Sequence, residues 1–155
     1  MSDLKKLIYK AQCIGNVEPI EYMVPYPNLR ALIEGQNIKY GKKMVYADYR
    51  LSSDKIYRMA QQAANFFTSL GVNPNERIMI QSLPFPESEI AILGAWTLGS
   101  SLVFSSNDDY RNAIKVAKPS LIIKEGMQFL EKINEHPDKF VPKIKAFLED
   151  EAVVF

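Results

Sequence analysis

One stretch, residues 77–106, constrains the fold of this chain more than any other. It contains two short apolar runs without a charge, at residues 78–80 and 102–104. Between them, residues 90–98 are apolar almost all the way round, which is typical of a helix covered on most sides. Two buried strands joined through a helix form a βαβ unit, in which the strands are parallel. The stretch therefore predicts an α/β fold.

The residues at both ends of the central helix support this interpretation. Pro86 can open the helix because the first helical position has no amide bond to lose. Glu87 and Glu89 place negative charge at the positive end of the helix dipole. Gly99 stands where a left-handed C-cap is expected.

A second helix is predicted at residues 53–70, with Ser52 as its N-cap. Gly71 ends it, and Val72 can fold back on Phe67 as in a Schellman motif.

Weaker patterns complete the architecture. Residues 1–27 contain a short amphipathic helix followed by an arm with three prolines, whereas residues 28–155 form the α/β domain. We expect an open, mainly parallel, doubly wound sheet with helices on both faces, together with this N-terminal arm and a small hairpin at residues 44–51. Further helices are predicted around residues 28–33, 110–117, 127–133 and 140–148, and further strands at residues 121–123 and 152–155.

Composition excludes several classes of protein. The 155 residues are 47% hydrophobic and 24% charged, which is usual for a globular domain. A net charge of +1 gives no reason to expect nucleic-acid binding, and no apolar run approaches the roughly 18 residues of a membrane helix. Cys13 is the only cysteine, which suits a reducing compartment, and the N-terminus has no signal-peptide core. We expect a cytoplasmic protein without a membrane partner.

Open α/β sheets bind ligands at the carboxyl ends of their strands. The loops that follow the two central strands therefore predict the position of a ligand-binding site. Its candidate residues are Ser82, Phe85, Ser105, Ser106 and Asn107.

The sequence contains few candidates for a metal site or a nucleophile. Asp108 and Asp109 could hold Mg²⁺, but helix capping and the helix dipole account for both carboxylates, and we prefer that interpretation. His136 is the only histidine and is far from Cys13 in sequence, whereas zinc sites need about four ligands. We predict no metal site and assign no catalytic residue.

The order of the elements, with several local motifs, resembles the start of the adenylate-forming enzymes. That family includes acyl-CoA and aryl-CoA synthetases, firefly luciferase and the adenylation domains of peptide synthetases. Residues 51–56 (LSSDKI) stand where the family has Leu-Thr-Tyr-x-Glu-Leu, and Ala64 with residues 70–72 (LGV) is similar to its Ala-x-x-Leu-x-x-x-Gly-Val. Residues 93–99 (LGAWTLG) are similar to its Leu-Ala-x-x-x-x-Gly, and the resemblance covers roughly residues 28–124.

The resemblance implies a carboxylate activated by ATP and then passed to CoA. In the family, the phosphate loop, the nucleotide contacts and the catalytic lysine come later than the region matched here. The loops at residues 82–86 and 105–109 contain no glycine to cradle phosphate, and the second carries two carboxylates. We therefore expect an N-terminal fragment or subunit of a ligase-like protein without activity of its own. ATP, Mg²⁺ and CoA would be bound only if a partner chain completed it.

An alternative is a stand-alone, non-catalytic domain derived from this fold. It would mediate protein interaction or self-association into a homo-oligomer, or bind a small ligand at the strand-end loops. The apolar strand at residues 152–155 bears on this choice, because it either pairs within the sheet or offers an edge to a partner.

Overall fold

The computed structural model of the protein describes residues 26–105 and 109–155, so the predicted N-terminal helix and almost all of the arm lie outside the described residues. The helices are α1 (Leu29–Tyr40), α2 (Ser53–Ser69), α3 (Glu87–Leu98), α4 (Tyr110–Ala117) and α5 (Phe129–Asn134). The strands are β1 (Met44–Tyr46), β2 (Leu51–Ser52), β3 (Arg77–Gln81), β4 (Ser101–Val103), β5 (Leu121–Lys124) and β6 (Val153–Val154).

The predicted parallel sheet is confirmed. Four strands pair in the order β5-β3-β4-β6, and all three pairings are parallel. Ile78 at the centre of the sheet is opposite Leu102 on one side and Leu121 on the other. The strand predicted at residues 152–155 pairs with β4, so it lies in the sheet and at its edge.

Side chains alternate along the strands and divide the sheet into two faces. The first face packs against α2, α3 and α5, and its strand residues are Ile78, Ile80, Leu102 and Ile123. The second face packs against α4, and its strand residues are Met79, Val103, Ile122 and Val154. Helices on both faces confirm the predicted fold class.

Helices α2 and α3 approach each other closely at Gly94. A Cβ atom at Gly94 would lie 2.4 Å from the Cβ of Ala63, so only glycine allows this approach. Phe67 is fully buried beside it. The predicted end of α2 is confirmed, because Gly71 has a φ of +88° and the amide of Val72 donates to the carbonyl of Phe67 at 3.1 Å.

The helix predicted at residues 140–148 is wrong. Residues 140–150 form neither helix nor strand, and we call them the strap. Pro142 cannot donate the hydrogen bond that a helix interior requires. Instead, two side chains at the start of α1 donate hydrogen bonds to backbone carbonyls of the strap. Arg30 donates to Ile144 at 3.1 Å, and Asn28, the N-cap residue of α1, donates to Ala146 at 3.1 Å.

Two other predicted boundaries are shifted. Helix α1, predicted around residues 28–33, continues to Tyr40, and the ring of Tyr26 lies against Gly35 at the position that a side chain would occupy. The second hairpin strand begins at Leu51, because the chain turns over residues 47–50.

Candidate functional site

Three of the five predicted site residues lie in the described part of the chain, whereas Ser106 and Asn107 lie outside it. Met79 is opposite Val103 in a parallel pair, so the carboxyl ends of β3 and β4 lie side by side. Ser82 is exposed with a φ of +51°, and Ser105 is half-buried. The parallel sheet therefore places both serines at the carboxyl ends of the strands, which is the position that the sequence predicts for a site.

Phe85 is held by the hairpin. Its ring meets Tyr46 at a centroid distance of 4.8 Å and Tyr49 at 4.7 Å, both edge to face. Such pairs stabilise a packed arrangement beyond their buried area. Phe85 therefore joins the β3–α3 loop to the hairpin, an aromatic contact that the sequence analysis did not anticipate.

Ser105 lines a cavity of about 490 Å³ on the second face, which we call the second-face cavity. Asp109 also lines it and occupies the N-cap position of α4, but its side chain does not cap the first turn. Asp108 lies outside the described residues. The remaining lining comes from Val103, Phe104, Asn112, Ala113, Val116, Ala117, Val154 and Phe155.

No cluster suited to a metal ion is found among the described residues. His136 follows α5, and its ring lies 5.4 Å from that of Phe66. Its backbone carbonyl accepts a hydrogen bond from Gln62 at 3.1 Å. Cys13 lies outside the described range. In that range no helix is long and apolar enough to cross a membrane.

A larger groove of about 560 Å³, the hairpin groove, lies between α1, the hairpin, α2 and α3. Its apolar lining is Leu32, Ile33, Met44, Val45, Ile56, Leu93 and Trp96. Lys43 and Glu89 are its charged residues. Burial and then the Glu89 carboxylate raise the pKa of Tyr46, whose hydroxyl lies 3.5 Å from that carboxylate. Mostly apolar walls with a few polar groups are typical of small-molecule sites.

Trp96 lies within residues 90–98, for which the sequence predicts a helix covered on most sides, and its side chain is only partly covered. It is half-buried, packs against the first-face cluster and also lines the hairpin groove. Its indole N–H donates to the carbonyl of Ala152 at 3.2 Å, which ties α3 to the residue before β6.

An ion pair links Glu151, two residues before β6, to the start of β3. Arg77 at the start of β3 donates to both oxygens of Glu151, at 2.8 and 2.7 Å. The hydroxyl of Ser101 on β4 donates to the same carboxylate at 2.7 Å. The hydrogen bonds from Arg77 and then from Ser101 lower the pKa of Glu151 to about 2. We call these three residues the β6 clamp.

Arg30 makes a second long-range connection that the sequence analysis missed. Its guanidinium donates to the carbonyls of Thr97 at 2.9 Å and Leu98 at 3.2 Å, at the C-terminus of α3. A cation at this position satisfies terminal carbonyls and suits the helix dipole. Burial lowers the pKa of Arg30, and the charge of Asp150 acts in the opposite direction.

Comparison with known proteins gives structural matches only. No protein-family model matches the sequence, and no curated protein matches it. The anthranilate CoA ligase AuaEII, solved in complex with anthranoyl-AMP, aligns with a TM-score of 0.71 and 16% identity over 83% of this chain and 32% of that chain. The N-terminal domain of FACL13 from Mycobacterium tuberculosis aligns with a TM-score of 0.71 and 11% identity over 82% of this chain and 41% of that chain.

A benzoate CoA ligase from Burkholderia xenovorans LB400 is also similar, with a TM-score of 0.58 and 24% identity over 70% of this chain and 24% of that chain. The chain thus spans between about a quarter and two fifths of the length of these solved structures. At such low identity the likeness establishes the fold. The chain has the fold of the N-terminal region of adenylate-forming acyl-CoA ligases.

Proposed function

We propose that this chain acts as the N-terminal part of an acyl-CoA or aryl-CoA ligase. The observation that carries the proposal is the alignment of 82–83% of the chain with ligase N-terminal structure at a TM-score of 0.71. Its role in that enzyme is to supply the parallel sheet on which the remaining parts assemble.

The nucleotide chemistry of such a ligase would come from residues outside this sequence. The loop after β3 contains Pro84 and Pro86, which have no amide hydrogen to offer a phosphate, and it contains no glycine. The helix that follows begins with Glu87 and Glu89, which oppose an anion. ATP, Mg²⁺ and CoA would therefore be held by residues outside this sequence, and no residue described here is assigned to catalysis.

Two assays test this function. The chain would be tagged in its native host and purified, and proteins that accompany it would be identified by mass spectrometry. The purified material and the isolated chain would then be assayed for ATP–pyrophosphate exchange with benzoate and anthranilate, the acids named for two similar proteins. We expect exchange only in material that also contains a Ser/Thr- and Gly-rich phosphate loop, whether a longer form of this polypeptide or a second chain carries it. Exchange by the isolated chain would contradict the proposal.

The hairpin groove favours a second candidate, a small-ligand-binding domain. Its volume of about 560 Å³ lies within the range of ligand sites, and its walls are mostly apolar. Calorimetric titration of the isolated chain with apolar amines and acids tests this function. Binding that Leu93→Arg abolishes would favour the second candidate, whereas the ligase proposal expects no tight ligand for the chain alone.

A further inference from the structure

A pocket lies between α1, the C-terminus of α3 and the strap, and we call it the strap pocket. Its volume of about 340 Å³ is within the range of small-molecule sites. Ser100 and Ala152 line it directly before β4 and β6, so it lies at the amino ends of these strands. This is the opposite end of the sheet from the predicted strand-end site. Its apolar walls are formed by Leu29, Leu32, Trp96, Phe147 and Leu148.

The guanidinium of Arg30 lines the strap pocket with hydrogen-bond donors to spare. Nη1 and Nη2 carry two N–H groups each, and the hydrogen bonds to Ile144 and Leu98 use one on each nitrogen. Within residues 26–105 and 109–155, neither nitrogen has a second hydrogen-bond partner. A Cβ at Gly99 would lie 3.1 Å from Nη2, so glycine leaves this side of the guanidinium uncovered. Arg30 can therefore offer further N–H groups to a ligand.

Asp150 brings a negative charge to the same pocket. Its Oδ2 accepts the amide hydrogen of Phe147 at 2.8 Å, which fixes the carboxylate relative to the strap. Its charge acts on Arg30, but the ion pairs found among the described residues are those of Arg58 with Asp54 and of Arg77 with Glu151. Arg30 and Asp150 thus lie near each other without neutralising each other in an ion pair.

The charges of the strap pocket match a zwitterion. A simple anion would be attracted by Arg30 but repelled by Asp150, and a simple cation would meet the reverse. Glu151, the other acidic residue of the lining, is already bound by Arg77. A guanidinium suits a carboxylate, and a carboxylate suits an ammonium group, because such hydrogen bonds are charge-assisted. The apolar walls in turn favour a ligand with an apolar side chain.

We propose that the strap pocket binds an apolar α-amino acid such as leucine in its zwitterionic form. The carboxylate of the ligand accepts from Nη1 and Nη2 of Arg30, its ammonium group donates to Asp150, and its side chain lies against Trp96 and Phe147. The inference goes beyond the proposed function and does not depend on it. The expected Kd is on the order of 0.1 mM, since the ligand has few atoms and Phe147, at 54% exposure, leaves the pocket open to solvent.

A set of matched ligands tests the zwitterion. Trp96 is the only tryptophan of the chain, so its fluorescence can follow a titration of the full chain with leucine. Isocaproate has the carboxylate and side chain of leucine without the amino group, and isoamylamine has the amino group and side chain without the carboxylate. We expect each to bind at least tenfold more weakly than leucine. Equal affinity for all three, or no saturable binding of leucine, would overturn the inference.

A matched pair of substitutions tests the position of the ligand. Asp150 and Glu149 are neighbouring exposed acids of the strap, but only Asp150 lines the strap pocket. Asp150→Asn and Glu149→Gln remove the same charge, and asparagine keeps an oxygen that can accept from the amide of Phe147. We expect Glu149→Gln to bind leucine as the unmodified chain does and Asp150→Asn to bind it at least tenfold more weakly. Equal affinities of the two variants would overturn the site.

Trp96 also lines the hairpin groove, and Leu93→Arg separates the two positions because Leu93 lines only that groove. The strap pocket predicts that this variant, shown to be folded by circular dichroism, retains leucine binding. Loss of binding in the folded variant would move the ligand to the hairpin groove and overturn the inference. None of these results bears on the ligase function, which fails separately if the isolated chain catalyses ATP–pyrophosphate exchange.

Discussion

The two faces of the sheet differ in how completely the described helices cover them, and this difference indicates where the stability of the fold comes from. On the first face, Phe67 and Phe129 are almost fully buried between the sheet and its three helices. On the second, Met79 and Val103 are buried, while Val116 on α4 is exposed. Burial of apolar area is the main source of folding free energy. We infer that the first face provides most of the stability.

The largest expected effect is a loss of stability from the first face. Phe67→Ala removes a fully buried ring and leaves a cavity, which typically costs about 3–5 kcal/mol of unfolding free energy. Val154→Ala on the second face removes two methyl groups from a half-buried side chain and should cost less than about 1 kcal/mol. Urea unfolding of both variants measures the difference. Equal losses of unfolding free energy in the two variants would show that both faces contribute equally to stability.

The next effect concerns the cap at the end of α3. Arg30→Met removes the three hydrogen bonds to Thr97, Leu98 and Ile144, and should cost about 2 kcal/mol. Arg30→Lys keeps the charge but not the planar guanidinium group with its several N–H donors. Its loss of unfolding free energy should therefore be more than half of that of Arg30→Met. Thermal unfolding provides the measurement. Full recovery by lysine would mean that charge alone matters at this position.

The contact between α2 and α3 predicts a smaller loss. Gly94→Ala places a Cβ 2.4 Å from that of Ala63, so the helices must move apart at a cost of roughly 1–3 kcal/mol. Alanine has a better helix propensity than glycine, which offsets about 1 kcal/mol of this loss of unfolding free energy. Chemical denaturation should therefore find a net loss of stability. A more stable variant would contradict the close approach of α2 and α3.

The smallest expected effect is the pH dependence of the β6 clamp. The pKa of Glu151 in the folded chain is about 2, below its ordinary value of 4.5. The ionised carboxylate therefore favours the folded state above pH 4.5, and this contribution falls as the pH decreases from 4.5 towards 2. The melting temperature of the unmodified chain should exceed that of Glu151→Gln at pH 6, and the difference should shrink towards pH 2. A melting-temperature difference that stays constant from pH 6 to pH 2 would contradict the ionised hydrogen-bonded Glu151 of the β6 clamp.

The sequence predicts the fold where local signals and burial agree. The apolar run of β3, the Gly99 cap with a φ of +91° and the Schellman end of α2 were all predictable from neighbouring residues. The strap was not, because its apolar spacing matches a helix, whereas Pro142 lacks an amide hydrogen and the side chains of Asn28 and Arg30 bind strap carbonyls.

The predicted site shows the same division between local and long-range information. The parallel sheet brings Ser82 and Ser105 to the carboxyl ends of neighbouring strands, where open α/β sheets bind ligands. The contact of Phe85 with Tyr46 joins residues 39 positions apart, and the β6 clamp joins Arg77 to a carboxylate 74 positions away. No local pattern encodes such pairs.

The most direct test of the difference between the two faces is amide hydrogen exchange, measured by NMR on the chain. The amide of Val72, which donates to Phe67 at the end of α2 on the first face, should exchange slowly. The amide of Lys118, which donates to Ile114 at the end of α4 on the second face, should exchange at least tenfold faster. Equal exchange rates for the two amides would contradict the account of the first face as the more stable one.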